Sequence, residues 1–366
     1  MGSKECRVGI TGVGGGVGQS VVRALRAWSA NPYLVGFDMN PESVGLFLCD
    51  AGHVIPAAAG PDYADALLMH CRAEGIDLLI PGSDPELLSL SLARDAFAEN
   101  GIDVLVSHPN VIRTVRDKML CSAFFESHGL PFARTARLLP IEEIPSVFRY
   151  PLIVKPADGS ASRNVTVVFD EDALRSIECN TRLIVQEYLI PTAWGIPRSD
   201  LGPADAYRDG VLRQEDEISL QFLIGKDGTE SGSFASWNKL RNGVPMVIEP
   251  MAMPEHAEVA RQAVWALVEL GHVGPCNLQG RVTSDGIVFF EVNARFTGIT
   301  AMRTAMGFRE VEACARHWLY GDDLATISPI LRQPEDVACL RYVTEEIVDA
   351  AALAEFRRHR TEALDR

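Results

Sequence analysis

The residues best placed to do chemistry lie in a predicted β-hairpin over residues 276–295. Two strand-like runs flank a Ser-Asp-Gly sequence at 284–286, which is a turn signal. With the turn centred on Asp285, Gln279 faces Glu291 across the ladder. Because side chains alternate along a strand, the second strand directs three polar groups to one face: Glu291, Asn293 and Arg295.

One face of this hairpin therefore collects a carboxylate, two amides and a guanidinium, a set that suits Mg²⁺ bound to a polyphosphate. Mg²⁺ takes hard oxygen ligands, usually one or two carboxylates, and phosphate and water complete its shell. Arg295 could hold the anion being transferred, while Phe290 and Val292 are predicted to point the other way, into a core. A solvated strand face with a surface Glu–Arg pair is the alternative. It accounts for the alternation but not for two amides flanking the acid.

Two lysines upstream of the hairpin are candidates for phosphate contacts. Lys155 closes an apolar strand at 151–156, where a lysine is poorly placed for burial unless it meets an anion. The small polar loop that follows, 158–164 with Ser160, has backbone N–H groups that could fold over phosphates. Lys118 stands near a predicted helix start. Taken alone, the loop fits a plain hairpin equally well, and Lys118 fits a surface lysine better.

Weaker signals suggest how a nucleotide base and ribose could be held. A predicted strand at 182–189 has an end whose exposed backbone could bind a flat base: Glu187, Tyr188 and Leu189. Beyond an aperiodic loop at 191–214, the carboxylate of Glu217 could accept hydrogen bonds from ribose hydroxyls. Loops of that length are usually functional or mobile. These signals gain weight from their order and from their combination with the hairpin.

A glycine-rich segment at residues 11–18 follows a predicted strand and opens a helix, a place where backbone N–H groups meet phosphates or carboxylates. It misses the G-x-G-x-x-G pattern because Val17 stands at the third glycine. It fits T-G-x-x-x-G-x-G, which resembles the short-chain dehydrogenases, and Asp38 could then hold a ribose. An NAD(P)-dependent oxidoreductase is therefore the rival function.

The rival lacks the Tyr-x-x-x-Lys that such dehydrogenases need, because none of the 7 tyrosines has Lys four residues later. It also leaves the hairpin unexplained. In the favoured interpretation the glycine loop and the tip of the third strand face one substrate cleft, through Gly14, Gly15, Gly16, Ser83, Asp84 and Glu86. Tight packing of the strand against the helix, without a ligand, is the alternative for the glycines.

The elements that must position these residues change character along the chain. Apolar runs at 7–11, 33–38, 77–81 and 103–107 are separated by helical spacing, which predicts a parallel, doubly wound sheet. A predicted helical pair at 110–128 follows. Shorter strands around polar turns then indicate an α+β unit.

Bulk properties narrow the class of protein. With 366 residues the chain is too long for one ordinary core. A formal net charge of −15 makes nucleic acid and anionic membranes poor partners, although a few focused cations suffice for a small anion such as ATP. The 8 cysteines form no C-x-x-C pair, and no apolar run has the length of a membrane span. We expect a cytoplasmic protein.

Three stretches resemble the ATP-grasp superfamily, in particular the carbamoyl-phosphate synthase large chain and related single-chain carboxylate–amine ligases. They are residues 116–135 (RDKMLCSAFFESHGLPFART), 151–165 (PLIVKPADGSASRNV) and 276–296 (CNLQGRVTSDGIVFFEVNARF). The resemblance implies α/β and α+β parts, with a Rossmann-like parallel sheet followed by a two-subdomain ATP-grasp fold with antiparallel sheets. The implied units are an N-terminal domain over 1–110, a small lid subdomain over 111–187, and a large subdomain with a C-terminal extension over 188–366.

The resemblance also implies a role for each motif residue. The nucleotide would be bound by Lys118, Lys155, Ser160, the backbone of Glu187, Tyr188 and Leu189, and Glu217. One or two Mg²⁺ ions, or Mn²⁺ in their place, would be ligated by Gln279, Glu291 and Asn293. Arg295 would steady the transferred phosphoryl group or the acyl phosphate, and Lys239 would reach the γ-phosphate.

Two departures from the pattern affect rate and metal stoichiometry rather than ATP use: Ser162-Arg163-Asn164 replaces glycine in the phosphate loop, and Ala294 replaces a proline. The resemblance therefore implies an ATP-dependent ligase that joins a small carboxylate to an amine through an acyl phosphate. A homodimer is a family-level expectation. A non-catalytic ATP-binding protein remains a further alternative.

Overall fold

The first hundred residues form a parallel sheet because short apolar strands, buried on both faces, alternate with helices. The computed structural model describes residues 6–159, 162–180, 182–252 and 257–364. Its first elements are β1 (Arg7–Thr11), α1 (Gly16–Arg26), β2 (Tyr33–Asp38), α2 (Val44–Leu48), β3 (Ala51–Val54), α3 (Tyr63–Glu74), β4 (Leu78–Ile80), α4 (Leu87–Glu99) and β5 (Asp103–Val104). The strands lie in the order β3-β2-β1-β4-β5, all parallel. The predicted Rossmann-like sheet is confirmed, with α2 and β3 as additions.

A small antiparallel sheet follows, behind the predicted pair of helices. Its elements are α5 (Pro109–Arg116), α6 (Lys118–Ser127), β6 (Thr135–Arg137), β7 (Leu152–Pro156), β8 (Thr166–Val168), α7 (Glu171–Arg175) and β9 (Leu183–Glu187). The strand order is β6-β9-β7-β8. This sheet has a hydrophobic core of its own, formed by Leu138, Leu152, Val154, Val168, Leu174 and Val185.

The rest of the chain builds a larger antiparallel sheet and the helices that cover it. In order come α8 (Pro203–Ala206), β10 (Tyr207–Arg208), β11 (Val211–Leu212), β12 (Gln214–Ile224), β13 (Glu230–Arg241), β14 (Val244–Pro250), α9 (Ala257–Glu269), β15 (Gly274–Thr283), β16 (Gly286–Asn293), α10 (Thr300–Ala305), α11 (Glu310–Tyr320), α12 (Leu324–Ile327), β17 (Cys339–Leu340) and α13 (Ala350–Leu364). The large sheet has the order β16-β15-β12-β13-β14-β17, and β10 pairs with β11 separately. No helix in the described ranges is long and apolar enough to cross a membrane.

Two hydrophobic clusters join the N-terminal layers to the large sheet. The first links Leu67 of α3 and Phe125 of α6 to Leu220 of β12. The second links Val21 of α1 to Phe234 of β13, from the opposite face. The N-terminal layers and the large sheet therefore share their hydrophobic packing, whereas the small sheet packs around a core of its own.

In the hairpin β15–β16, Gln279 lies opposite Glu291 as predicted, but this pairing depends on a bulge that was not predicted. Thr283 pairs with Gly286, which leaves a two-residue turn, and a register shift beyond Gly280 then places Gln279 opposite Glu291. The bulge turns Phe290 toward a cavity, so its predicted place in the core is wrong. Bulges re-aim side chains in this way, often beside active sites.

Candidate active site

A cavity of about 90 Å³ lies between the small sheet and the large one. It is lined by residues from both sheets and from the start of α6. The nucleotide-binding candidates that meet there are Lys118, Lys155, Glu187, Tyr188, Leu189 and Glu217, and the predicted metal ligand Glu291 joins them. The sequence motifs, which are far apart along the chain, therefore converge on one site.

The two lysines are buried at this cavity. Asp117 caps α6 by accepting from the N–H of Met119 at 2.7 Å, and Lys118 Nζ donates to the carbonyl of Gly159 at 2.7 Å. Burial lowers the pKa of Lys155 to about 7, and Lys118 adds to the effect, whereas Glu291 and Glu217 oppose it. Two desolvated ammonium groups side by side are unfavourable alone and favourable next to a polyanion.

The predicted metal ligands Gln279, Glu291 and Asn293 share one face of the large sheet, which we call the metal face. Among the described residues no group donates a hydrogen bond to the carboxylate of Glu291 and no cation pairs with it, although it lines three adjoining cavities. Gln279 Nε2 donates to Asn277 Oδ1 at 3.4 Å, which leaves the amide oxygen of Gln279 for another partner. Asn293 lies beside them, largely buried.

This set fits Mg²⁺ held jointly by protein and nucleotide. In the described part of the chain no three His, Cys, Asp or Glu side chains converge as metal ligands. A bound ion would therefore take one carboxylate, amide oxygens and phosphate oxygens, which is the usual arrangement for Mg²⁺ at a nucleotide. Gln279, Glu291 and Asn293 are the residues that would hold it.

Arg295 forms a bidentate ion pair with Asp84, which connects the N-terminal layer to the metal face. Its Nε and Nη2 donate to the two Asp84 oxygens at 2.8 and 2.6 Å, and its Nη1 donates to the carbonyl of Phe296 at 2.7 Å. Burial by itself would raise the pKa of Asp84, but Arg295, with Arg116 and Lys118, holds it below its ordinary value. Arg295 would have to exchange Asp84 for a phosphoryl group to act as predicted.

Two arginines, of which the sequence did not single out Arg281, hold the residues that follow β9. Arg198, from the long loop, donates to the carbonyl of Tyr188 at 2.8 Å. Arg281, from β15, donates to the carbonyl of Leu189 at 2.7 Å. Arg281 also lies 3.4 Å from Glu217, the predicted ribose ligand, and burial raises the pKa of Glu217 against this pairing.

Gln186 belongs to the strand end whose backbone was considered for base binding, but the sequence indicated no role for its side chain. Its side chain is fully buried, it lines the cavity, and its Oε1 has no partner among the described residues. An unsatisfied buried acceptor at a base-sized cavity indicates a ligand that donates a hydrogen bond. The only sequence signal was its position directly before Glu187.

The glycine loop is used partly for packing. The N–H of Gly14 donates to Asp38 Oδ2 at 2.6 Å, and a Cβ at Gly14 would stand 2.2 Å from Ser43 Oγ. A Cβ at Gly18 would stand 2.3 Å from the carbonyl oxygen of Gly12. The carboxylate that a dinucleotide ribose would need is therefore already engaged inside the loop.

The rest of the predicted substrate residues border a larger cavity of about 660 Å³, which adjoins the metal face. Gly15, Gly16, Ser83, Asp84 and Glu86 line it, together with Gln279, Glu291, Asn293 and Arg295. The structure thus places the glycine loop and the metal face on opposite sides of one chamber.

Glu86 is held by groups within the protein. Its carboxylate accepts from Thr11 Oγ1 at 2.7 Å, from the Tyr63 hydroxyl at 2.5 Å, and from the backbone N–H groups of Gly82 and Ser83 at 2.9 and 2.6 Å. Burial raises the pKa of Glu86, and these donors oppose the rise. Glu86 therefore fixes the loop after β4, whose residues Ser83 and Asp84 also line the cavity.

Two predicted residues are not brought to the site. Lys239 is 56% exposed and its Nζ pairs with Glu215 at 2.9 Å. Strand alternation directs its neighbours Asn238 and Leu240 into the larger cavity instead. The position of Lys239 therefore does not support its predicted contact with the γ-phosphate. Ser160 lies outside the described residues.

Comparisons with known proteins agree with this architecture. A family model described as "PylC-like, N-terminal domain" matches residues 10–105. The biotin carboxylase domain of Hydrogenobacter thermophilus 2-oxoglutarate carboxylase, solved with MgADP, ADP and bicarbonate, is similar in structure, with 18% identity, a TM-score of 0.62, and coverage of 89% of this chain and 72% of that one. No curated protein matches the chain in sequence.

Two further solved structures share the fold. N5-carboxyaminoimidazole ribonucleotide synthetase from Thermus thermophilus has 17% identity and a TM-score of 0.64, covering 88% of this chain and 80% of its own. L-amino acid ligase from Bacillus licheniformis has 15% identity and a TM-score of 0.59, covering 87% and 75%. The chain therefore shares the ATP-grasp fold of these structures, and its residues 10–105 are similar to the PylC-like N-terminal domain.

Proposed function

We propose that this protein is an ATP-dependent ligase that joins a carboxylate to an amine through an acyl phosphate and releases ADP and phosphate. The observation that carries the proposal is one cavity in which Lys118 and Lys155 are buried beside Glu291, a carboxylate with no donor among the described residues. Cations and a free carboxylate converge there, as Mg·ATP requires. The ADP-bound and MgADP-bound relative shares this fold.

The nucleotide would lie across the cavity with its base at the end of β9. Gln186 would accept a hydrogen bond from the base, Glu217 would hold the ribose, and the two lysines would meet the phosphates. Mg²⁺ bound by Gln279, Glu291 and Asn293 would offset the charge that develops on the transferred phosphoryl group. The small sheet, with its separate core, is the part that can close over the nucleotide and exclude water.

The reaction would proceed in two displacements. A carboxylate oxygen attacks the γ-phosphorus while the bond to ADP breaks, which gives an acyl phosphate. The amine nitrogen then attacks the acyl carbon, the bond to phosphate breaks, and the nitrogen loses a proton. Arg295, which lines the same cavity as Glu291 and Asn293, would hold the phosphoryl group once Asp84 gives up the ion pair.

The larger cavity supplies room for the carboxylate and the amine, so small molecules are the proposed partners. A homodimer is proposed by analogy, since the similar biotin carboxylase domain was solved as a dimer. The rival oxidoreductase gains no support from the site, because Asp38 is engaged by the loop it would have to serve.

Nucleotide products and chemical trapping test the proposal. The protein is incubated with ATP, Mg²⁺, a panel of carboxylic acids and hydroxylamine, which converts an acyl phosphate to a stable hydroxamate. We expect acid-dependent ADP, phosphate and hydroxamate in equal amounts. Formation of AMP and pyrophosphate, or reduction of NAD⁺ in place of ATP turnover, would contradict the proposal.

A further inference from the structure

Arg341 lines the larger cavity and has no part in the proposed nucleotide site. It directly follows β17, and its backbone N–H donates to the carbonyl of Met246 at 2.9 Å. Its guanidinium donates to the carbonyl of Gly298 and contacts Met302 Sδ at 3.8 Å. Its Nη1 lies 4.0 Å from the point where a Cβ on Gly16 would stand. The side chain is thus fixed at the wall of the cavity, beside the glycine loop.

The charge of Arg341 has no counterion among the described residues. Four of the five carboxylates that line the cavity are committed elsewhere: Asp38 to Gly14, Asp84 to Arg295, Glu86 to the loop after β4, and Glu217 to Arg281. The fifth, Glu291, is the proposed metal ligand and forms no ion pair with Arg341. Burial lowers the pKa of Arg341, and the neighbouring Arg23 lowers it further. In a chain of net charge −15, a half-buried guanidinium without a carboxylate indicates a site for an external anion.

The wall of the same cavity is apolar on two sides. Met39, after β2, is 53% exposed, and Val244, at the start of β14, is 42% exposed, although both are large hydrophobic side chains. Further apolar residues continue the wall: Ile55, Pro56, Ala57, Ala58, Ala59 and Pro245. Exposed apolar side chains gathered at a cavity mark the place where the apolar part of a ligand is buried.

We propose that Arg341 binds the carboxylate of a substrate whose apolar body lies against Met39 and Val244, so that the substrate is an amphipathic acid. The description of this molecule as a ligase substrate rests on the proposed function; its binding does not. The carboxylate belongs either to the acid that is phosphorylated or to an amino acid with an apolar side chain that supplies the amine. Both sources share the same chemistry at Arg341.

Hexanoate, hexanamide and acetate are probes that separate charge from apolar contact. Ligand-observed NMR titrations measure their affinities for the wild-type protein, for Arg341→Gln and for the control Arg23→Gln, which removes an exposed cation nearby. We expect hexanoate to bind the wild type about tenfold more tightly than hexanamide or acetate, and Arg341→Gln to remove the preference over hexanamide, which depends on the charge. Arg23→Gln should stay within about twofold of the wild type.

The outcomes separate this inference from the proposed function. Equal affinity for hexanoate and hexanamide, no hexanoate binding, or unchanged binding in a folded Arg341→Gln variant would overturn it, whatever the turnover. Arg341-dependent binding of hexanoate, together with no ATP turnover for any acid of the panel, would uphold it and reject the proposed activity. With ATP and hydroxylamine, formation of the hydroxamate of hexanoate assigns Arg341 to the phosphorylated acid; binding without hydroxamate assigns it to the amine-bearing acid.

Discussion

Glu291 on β16 and Glu86 after β4 both line the larger cavity, but the protein treats their carboxylates in opposite ways. Glu86 accepts from two side-chain hydroxyls and two backbone N–H groups. Glu291 has no donor among the described residues. A carboxylate with a full set of internal donors stabilises a loop, whereas one without them is available to a metal or a substrate.

The same difference separates the two halves of the cavity. On the N-terminal side, Asp38 and Asp84 are paired like Glu86, with the Gly14 N–H and with Arg295. On the large-sheet side, Gln279 and Glu291 keep oxygens free. A list of polar residues at a cavity therefore does not identify a site; the internal partners of each residue have to be known.

The largest expected effect comes from a substitution on the large-sheet side of the cavity. Glu291→Gln removes the single carboxylate of the metal face, and we expect ATP turnover to fall by roughly 100-fold or more. The variant should fold as the wild type does, because no internal hydrogen bond is lost. Glu249→Gln, at an exposed position of β14, is the matched control. Turnover within a few fold of the wild type in Glu291→Gln would show that the hairpin is structural only.

A substitution on the N-terminal side of the cavity, where the carboxylates have internal partners, should instead affect stability. Glu86→Ala leaves the donors of Thr11, Tyr63 and the loop unsatisfied in a buried site, which costs about 3 kcal/mol. We expect thermal denaturation to show an apparent Tm lowered by several degrees, with ADP affinity near that of the wild type. Glu99→Ala, exposed at the end of α4, is the control. A stable variant that has lost turnover would place Glu86 in substrate binding after all.

The lowered pKa of Lys155 predicts a smaller, pH-dependent effect. Phosphates favour the ammonium form, so a lysine with a pKa of about 7 must take up a proton on binding at higher pH. ADP affinity should be constant below pH 7 and weaken above it, by up to about tenfold per pH unit. Calorimetry in buffers of different ionisation enthalpy would detect the proton uptake. An equally steep pH profile in Lys155→Met would assign it to another group.

The lowered pKa of Lys155 also makes the stability of the nucleotide-free protein depend on pH. Between about 7 and the ordinary value of 10.5, the unfolded chain holds the proton that folded Lys155 has released. The contribution of Lys155 to the free energy of unfolding therefore rises with pH through that window and is lowest below it. The slope should disappear in Lys155→Met.

Lys239 gives the smallest expected effect. It lies on the solvent side of β13 and pairs with Glu215 at the surface, where such a pair is worth about 0.5 kcal/mol. We expect Lys239→Ala to change turnover by less than about twofold. A loss comparable with that of Glu291→Gln would show that Lys239 moves to the phosphates when the small sheet closes.

The sequence was sufficient for the parts of the fold and site that follow from periodicity. Alternation predicted the shared face of Glu291 and Asn293, and apolar runs between helices predicted the parallel sheet. The division into units at residues 1–110, 111–187 and 188–366 stays a prediction, as do the individual roles of the site residues.

What the sequence could not predict depends on contacts between distant segments. The bulge that turns Phe290 to the cavity needs the register of the whole hairpin. The ion pair of Arg295 with Asp84 joins residues that follow strands of two different sheets. Arg198 and Arg281 reach the residues after β9 from a loop and from another strand. The role of Lys239 was implied by the resemblance alone, whereas the strand directs the Lys239 side chain to solvent and Asn238 to the cavity.

Transfer of an oxygen atom from the substrate acid to phosphate tests the central claim most directly. The acid identified by hydroxamate trapping is labelled with ¹⁸O in its carboxylate and incubated with ATP, Mg²⁺ and the amine, and the released phosphate is analysed by mass spectrometry. An acyl phosphate route predicts one ¹⁸O in each phosphate formed, because the phosphorylated oxygen leaves with phosphorus. Phosphate without ¹⁸O, at the same rate of ADP release, would contradict the route.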